Sequence, residues 1–220
     1  MLFRAEHGER IALVGKSGSG KSTLVSLLLR LYDVDDGAIL VDGKDIRKVT
    51  LESLRKQIGL VTQEAFLFNT NIAANIACRE NGFSQEALEK AAISSYSNLF
   101  IENLAEKYQT LYGAGGIDLS GGQKHRIALA RAIYKEPTIL ILDEAMANLD
   151  AESENYILDA LERFSKGRTT FIIAHRFSTI MNVDRILVLN EGKLDGFGTH
   201  QELIQRSQVY KSLYEKQTLK

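Results

Sequence analysis

Nine consecutive residues, Gly15-Lys16-Ser17-Gly18-Ser19-Gly20-Lys21-Ser22-Thr23, constrain this chain more than any other stretch. They stand between an apolar run, Ile11 to Val14, and a helix-forming run that continues from Lys21 to Leu31. A strand, then GxxxxGK[ST], then a helix is the arrangement in which backbone N–H groups wrap around a phosphate. The glycines allow the turn, and the helix N-terminus adds positive potential. Lys21 is placed to reach terminal phosphate oxygens and the Ser22 hydroxyl to face a magnesium ion.

Phosphoryl transfer also needs a carboxylate near the metal and a group that polarises water. Thr138 to Leu142 reads as a buried strand ending in Asp143 and Glu144, which supply both. Asp143 is the candidate for Mg²⁺, through its water shell, and Glu144 the candidate general base.

Further apolar runs at Ile58–Val61, Thr169–Ala174 and Arg185–Leu189 read as parallel strands. Helical patterns alternate with them at Leu51–Lys56, Gly122–Tyr134, Ala151–Phe164 and His200–Gln205, the last opened by a Thr199/Glu202 capping box. That alternation predicts an α/β fold, a P-loop NTPase parallel sheet core. Ala38 to Asp45, with an Asp42-Gly43 turn, predicts a small antiparallel β element. Between Gln63 and Lys135 the strand signal stops, and Ser84–Ser94 and Ser97–Lys107 carry apolar residues at helical spacing. The expectation is a single domain over 1–220, with the core and β element in 1–63 and 136–220 and an inserted α-helical subdomain in 64–135.

Composition narrows the partners. With 27 Lys+Arg against 28 Asp+Glu the chain has no basic footprint for nucleic acid. No run approaches the roughly 20 apolar residues of a membrane span, so the chain is expected to be soluble as it stands and not itself membrane-spanning. The lone Cys78 has no intrachain disulfide partner and fits a reducing compartment. Because the strand at Arg10 follows so soon after Met1, the opening is expected to be a cut through folded sequence.

The segment Leu119-Ser120-Gly121-Gly122-Gln123, continuing Lys-His-Arg-Ile-Ala-Leu-Ala-Arg, sets the chain apart from generic phosphate-loop ATPases. Here too a serine and two glycines open a helix, giving a second anion site in one chain. The segment resembles the signature motif of ABC transporter nucleotide-binding domains. The other landmarks follow in order: Gln63 resembles the Q-loop glutamine, Ala147-Asn148-Leu149-Asp150 the D-loop, and His175 the switch histidine. Arg30-Leu-Tyr-Asp-Val-Asp-Asp-Gly, Leu67 to Ile76 and Gly198-Thr-His-Gln-Glu-Leu resemble the exporter branch, above all lipid A flippases and multidrug exporters.

The resemblance implies ATP and Mg²⁺ as ligands. ATP would lie on Gly15, Ser17, Gly18, Ser19, Gly20, Lys21, Ser22, Thr23 and Gln63. Leu119, Ser120, Gly121, Gly122, Gln123 and Asp150 would meet it from a second nucleotide-binding domain paired head to tail. Ser22, Gln63 and Asp143 would serve the metal, and Glu144, His175 and Lys21 the chemistry. The implied partners are that second copy, or a related domain, and the transmembrane domain of an exporter, at the cytoplasmic face of the inner or plasma membrane. The implied function is ATP hydrolysis powering export of a lipid-like or hydrophobic substrate.

Three departures stand out. Exporters stack adenine on an aromatic residue about 25 positions before the phosphate loop, whereas 14 residues precede Gly15 and Phe3 lies too near, so weaker ATP binding and an N-terminally truncated β element are expected. Ala114 in Gly113-Ala114-Gly115-Gly116 holds the place of a coupling glutamate. Ala147-Asn148 stands where Ser-Ala is usual. Two other readings compete: a soluble ABC-type ATPase acting on nucleic acid or ribosomes, and a module that holds ATP without hydrolysing it. Lys21 and Ser120 are separated by no heptad run, unlike DNA-repair relatives, and Glu144 with His175 argues for hydrolysis.

Overall fold

The computed structural model describes residues 1–143, 150–173 and 182–218. Glu144, Ala147, Asn148 and His175 therefore lie outside the described residues. The chain divides into two compact units: Met1–Ile58, Thr138–Leu142 and Gly167–Lys220 form the first, Gly59–Pro137 and Asp143–Lys166 the second.

The strands are β1 (Arg10–Val14), β2 (Leu40–Val41), β3 (Lys44–Asp45), β4 (Ile58–Val61), β5 (Ile139–Asp143), β6 (Thr169–Ile173), β7 (Arg185–Asn190) and β8 (Lys193–Gly198). Six of them make one sheet in the order β4-β5-β6-β1-β7-β8, and β2 and β3 pair separately. β1 runs parallel to both β6 and β7, so its Ile11, Ala12 and Leu13 are wholly buried. Burial on both faces is why these strands read as continuous apolar runs. Register is pinned at the strand entrance, where Asp184 accepts from the Arg10 amide at 2.7 Å and its own amide donates to the Arg10 carbonyl at 2.9 Å. The short antiparallel β2–β3 ladder turns at Asp42-Gly43, both with positive φ, as its sequence predicts.

β8 is an antiparallel edge strand that periodicity does not reveal, because Asp195, Gly196 and Gly198 are poor strand formers. Its pairing starts at a two-residue turn, Glu191-Gly192, with φ of 48° and 76°, the geometry whose twist suits a hairpin. The glycines have a packing reason. A Cβ on Gly196 would lie 2.7 Å from Leu203 Cδ2 of helix α8 (His200–Arg206), so the helix rests where a side chain would stand. The Thr199/Glu202 capping box opens α8 as expected. Behind it, Ala12, Val14, Ile186, Val188, Leu203 and Tyr210 form the core of this part of the sheet. Tyr210, on α9 (Gln208–Thr218), is fully buried, which pushes its phenol up to about 12; its hydroxyl lies 2.8 Å from His200 Nδ1.

The helix after the phosphate loop, α1, covers Lys21–Leu28 and stops three residues short of its sequence pattern. Arg30 turns left-handed at φ 49°, and Leu31 and Arg30 donate to the carbonyls of Ser26 and Leu27, closing a Schellman motif. Arg55, near the end of α2 (Leu51–Lys56), donates to the Leu29 and Arg30 carbonyls and holds that end. Contacts 25 and 26 positions away thus support a helix end where glycine is usual.

In the second unit α3 (Ile72–Ala77), α4 (Gln85–Ser94) and α7 (Ala151–Ser165) pack on α6 (Gly121–Tyr134). Along α6, Ala128, Ala130 and Ala132 allow close approach, and Ile127, Leu129 and Ile133 fill the gaps. The pattern at Ser97–Lys107 yields only a four-residue helix, α5 (Asn98–Ile101). Beyond it the amides of Asn103 and Leu104 donate three residues back, to Phe100 and Ile101, and the Asn103 side chain takes the Leu99 carbonyl. These tighter turns end the α-helix.

Leu203 is 3% exposed and touches both sheet and α9. Leu203→Ala is expected to lower stability by about 2 to 5 kcal/mol, read by denaturant unfolding followed by circular dichroism. A loss under about 0.5 kcal/mol, the size of an ordinary surface change, would mean that the α8 seat is not part of the core.

Candidate functional site

The phosphate loop leaves the carboxyl end of β1, the edge of a parallel sheet at which ligands collect. At Gly15 a Cβ would come 2.4 Å from both the Leu189 carbonyl oxygen and Ser19 Oγ, so only glycine fits the turn out of the strand. Gly18 is left-handed at φ 76° and Gly20 at φ 103°, conformations other residues reach only with strain. Lys21 folds back over this loop, its Nζ donating to the Gly15 carbonyl at 2.8 Å and the Lys16 carbonyl at 3.0 Å. The Ser19 amide closes the turn onto Lys16, and the Ser19 carbonyl accepts from Gly192.

Three observations test whether a polyphosphate suits this loop. The Ser19 hydroxyl is buried and has no hydrogen-bond partner among the described residues. Helix α1 has no side-chain cap and no acidic residue in its first turn. Its first-turn amides, at Ser22 and Thr23, lie beyond reach of any intrahelical acceptor. Ser17, Gly18, Ser22 and Thr23 are exposed. The loop amides, the Ser19 hydroxyl and the Lys21 ammonium converge at this helix start, which fits an anionic ligand.

The second anion feature lies in the other unit. Ser120 caps α6: its Oγ accepts from the Gln123 amide at 3.3 Å while Gln123 Oε1 accepts from the Ser120 amide at 2.9 Å. Leu119 is buried beneath, and Ser120 and Gly121 face solvent. Gly122 abuts α7 so tightly that a Cβ there would lie 2.1 Å from Ser153 Oγ and 2.5 Å from Ser153 Cβ. Asp150 caps α7 by accepting from the Ser153 amide at 2.8 Å. That hydrogen bond holds the Asp150 carboxyl below its usual range, with attraction from Arg126 adding to it. The two helix starts are thereby locked together, one carrying Ser120-Gly121-Gly122 and the other Asp150.

Gln63 is exposed in the irregular segment after β4. Its backbone carbonyl faces His125 Nε2 at 2.8 Å, while Nδ1 of the same ring lies 2.9 Å from the Gly121 carbonyl. Further along the segment, Arg131 donates to the Phe66 carbonyl at 2.9 Å, and the wholly buried Asn75 bonds both backbone groups of Phe68. The loop around Ala114 is fastened to this segment through the Tyr112 amide on the Thr70 carbonyl. A Cβ on Gly113 would lie 2.4 Å from Asn69 Oδ1. Asp143 ends β5 and belongs to the second unit. Among the described residues no cluster of three His, Cys, Asp or Glu forms a metal cage. Magnesium in phosphate sites uses one or two protein ligands beside phosphate oxygens and water, so such a cage is not required of it.

The phosphate-loop and signature residues are candidates from sequence alone. Sequence reasoning missed His125, Arg126 and Arg131, which lie in the run immediately after Gln123. No local signal could assign them, because their partners, Gln63, Tyr96 and Asn75, are distant in the chain.

Residues 1–147 match the ABC transporter family. An ATP-dependent lipid A-core flippase of Chromohalobacter salexigens is 52% identical over 96% of this chain and 36% of its own length. A putative multidrug export ATP-binding/permease protein, YgaD, of Bacillus subtilis is 47% identical over 99% of the chain and 37% of its own length. A solved structure of a bacterial Atm1-family ABC exporter with ATP bound superposes with a TM-score of 0.87 at 44% identity, covering 98% of this chain and 38% of that one. The chain belongs to the ABC transporter family, as a nucleotide-binding domain of exporter type. It spans a little over a third of the length of these relatives. No described helix is long and apolar enough to cross a membrane.

The Gly122 contact gives a sharp test. In an ordinary helix Gly→Ala stabilises by about 1 kcal/mol. Gly122→Ala is expected instead to destabilise by about 1 to 3 kcal/mol, the cost of overpacking, because Ser153 Cβ cannot swing away. Adding Ser153→Gly should recover most of the loss; thermal unfolding of the two variants decides it.

Proposed function

We propose that this chain binds ATP with Mg²⁺ and hydrolyses it, as one half of a head-to-tail pair that powers a membrane exporter. The observation that carries the reading is the phosphate loop: Lys21, the uncapped first turn of α1 and the Ser19 hydroxyl, which has no hydrogen-bond partner among the described residues, converge on one loop. The signature serine, glycines and Asp150 stand at two further helix starts in the same chain.

In this reading the amides of Gly15 to Thr23 and the Lys21 ammonium bind the phosphate oxygens and hold the terminal phosphoryl group against loss of its charge stabilisation. Glu144 takes a proton from the attacking water, and His175 steadies the terminal phosphate. Ser22, Gln63 and Asp143 would hold Mg²⁺, which when bound would supply electrostatic stabilisation of the charge that develops on the phosphates. Leu119, Ser120, Gly121, Gly122, Gln123 and Asp150 serve the partner's nucleotide. The partner is a second copy or a related domain, and the transmembrane domain would come from the remainder of a longer protein at the inner membrane. A lipid-like or hydrophobic cargo is the reading that the names of the relatives, a lipid A-core flippase and a multidrug export protein, support. The nucleic-acid alternative draws nothing from them.

Glu144→Gln is expected to keep ATP binding and abolish turnover, and it should accumulate as an ATP-bound dimer on size-exclusion chromatography. Lys21→Ala should weaken ATP binding about 10- to 100-fold, the loss of charged hydrogen bonds. Specific activity should rise with protein concentration as chains pair. Turnover retained by Glu144→Gln would remove the assigned base, and no turnover at any concentration would leave a module that only binds.

A further inference from the structure

The helix that the signature opens is also what holds the segment carrying Gln63. Three backbone points of that segment are fixed from within the second unit: the Gln63 carbonyl by His125, the Phe66 carbonyl by Arg131, and the Phe68 backbone by Asn75, itself bonded to Arg131. Of these, the His125 contact alone falls on a residue assigned to the site. His125 is 7% exposed and lies one turn into α6. Both oxygens that its ring nitrogens face are carbonyls, which can only accept. The Gly121 carbonyl already belongs to the helical ladder of α6. The Gln63 carbonyl sits in an irregular loop, where Thr62 Oγ1 donates to the Glu64 carbonyl at 2.7 Å. With its proton on Nε2, the assignment that gives the Gln63 carbonyl a donor, the ring ties α6 to the start of that loop.

We infer that His125 is a positioning residue: it sets the place of Gln63 from the first turn of the signature helix, and so joins the two motifs within one chain. The inference rests on the reading of Gln63 given above. A rearrangement at Ser120-Gly121 that tilts α6 moves the His125 ring, and the Gln63 backbone moves with it. The side chain at position 125 must then carry a donor as far out as Nε2, which defines the substitutions that separate this role from mere packing.

Asparagine reaches no farther than Nδ1, and glutamine reaches about as far as Nε2. His125→Asn is expected to lower kcat about tenfold, the scale of one buried hydrogen bond, with KM for ATP changed less than twofold. His125→Gln should recover turnover to within about twofold. In a Gln63→Ala background the asparagine substitution should have no further effect, because the residue it acts through is gone. Independently of activity, amide hydrogen exchange at 63–66 should quicken in His125→Asn and return to normal in His125→Gln, while 72–77 keeps its protection. Equal loss with asparagine and glutamine, a full tenfold loss added to Gln63→Ala, or unchanged exchange at 63–66 would each overturn the inference. Should Gln63→Ala itself leave turnover intact, the role given to Gln63 fails, and the inference fails with it for that separate reason.

Discussion

The molecule depends on one steric constraint, the turn by which the chain leaves β1. Gly15 has no room for a Cβ between the Leu189 carbonyl and Ser19 Oγ, and that tightness places the loop directly over the carboxyl end of a strand buried on both faces. Everything that defines the phosphate cradle follows from it. The Ser19 amide can bond the Lys16 carbonyl, Lys21 can fold back to Gly15, and α1 can begin with its amides open. A buried, doubly flanked strand is a rigid base, so the donors are in place before any phosphate arrives.

The second unit solves a related problem with a different device. Ser120 and Asp150 each cap a helix, and Gly122 lets those helix starts touch where a methyl group would collide with Ser153. In the capping box the Ser120 hydroxyl oxygen accepts from the Gln123 amide, so its O–H proton stays available to donate to an anion while the cap is kept. The same helix grips the Gln63 segment through His125 and Arg131. One helix thus carries Ser120-Gly121-Gly122 at its start and holds the Gln63 segment along its side.

What the sequence made legible was local. Runs such as Ile11–Val14 and Thr169–Ile173 announce themselves because both faces are buried and the residues are apolar or β-branched. The phosphate loop, the signature and the Thr199/Glu202 box are legible because their chemistry lies within a few consecutive residues. β8 was hidden because its glycines answer to Leu203 and Glu202 rather than to strand propensity. Helix α3 was hidden because Ile72 to Ala77 is buried all round and shows no amphipathic stripe. The end of α1 depends on Arg55, and the function of His125 on Gln63, 62 positions away. Such long-range partners leave no trace in a single sequence.

The central claim is that a phosphate loop and a signature from two different copies make one working centre. Mixing two inactive variants tests it: Lys21→Ala, with a damaged phosphate loop, and Ser120→Glu, with a damaged signature. In a mixed pair one centre combines both defects and the other combines neither, so equal mixing should restore ATP hydrolysis to as much as about a quarter of the unmutated level, as expected for random pairing in a symmetric dimer. A mixture that hydrolyses no more ATP than the two variants measured apart would contradict the account.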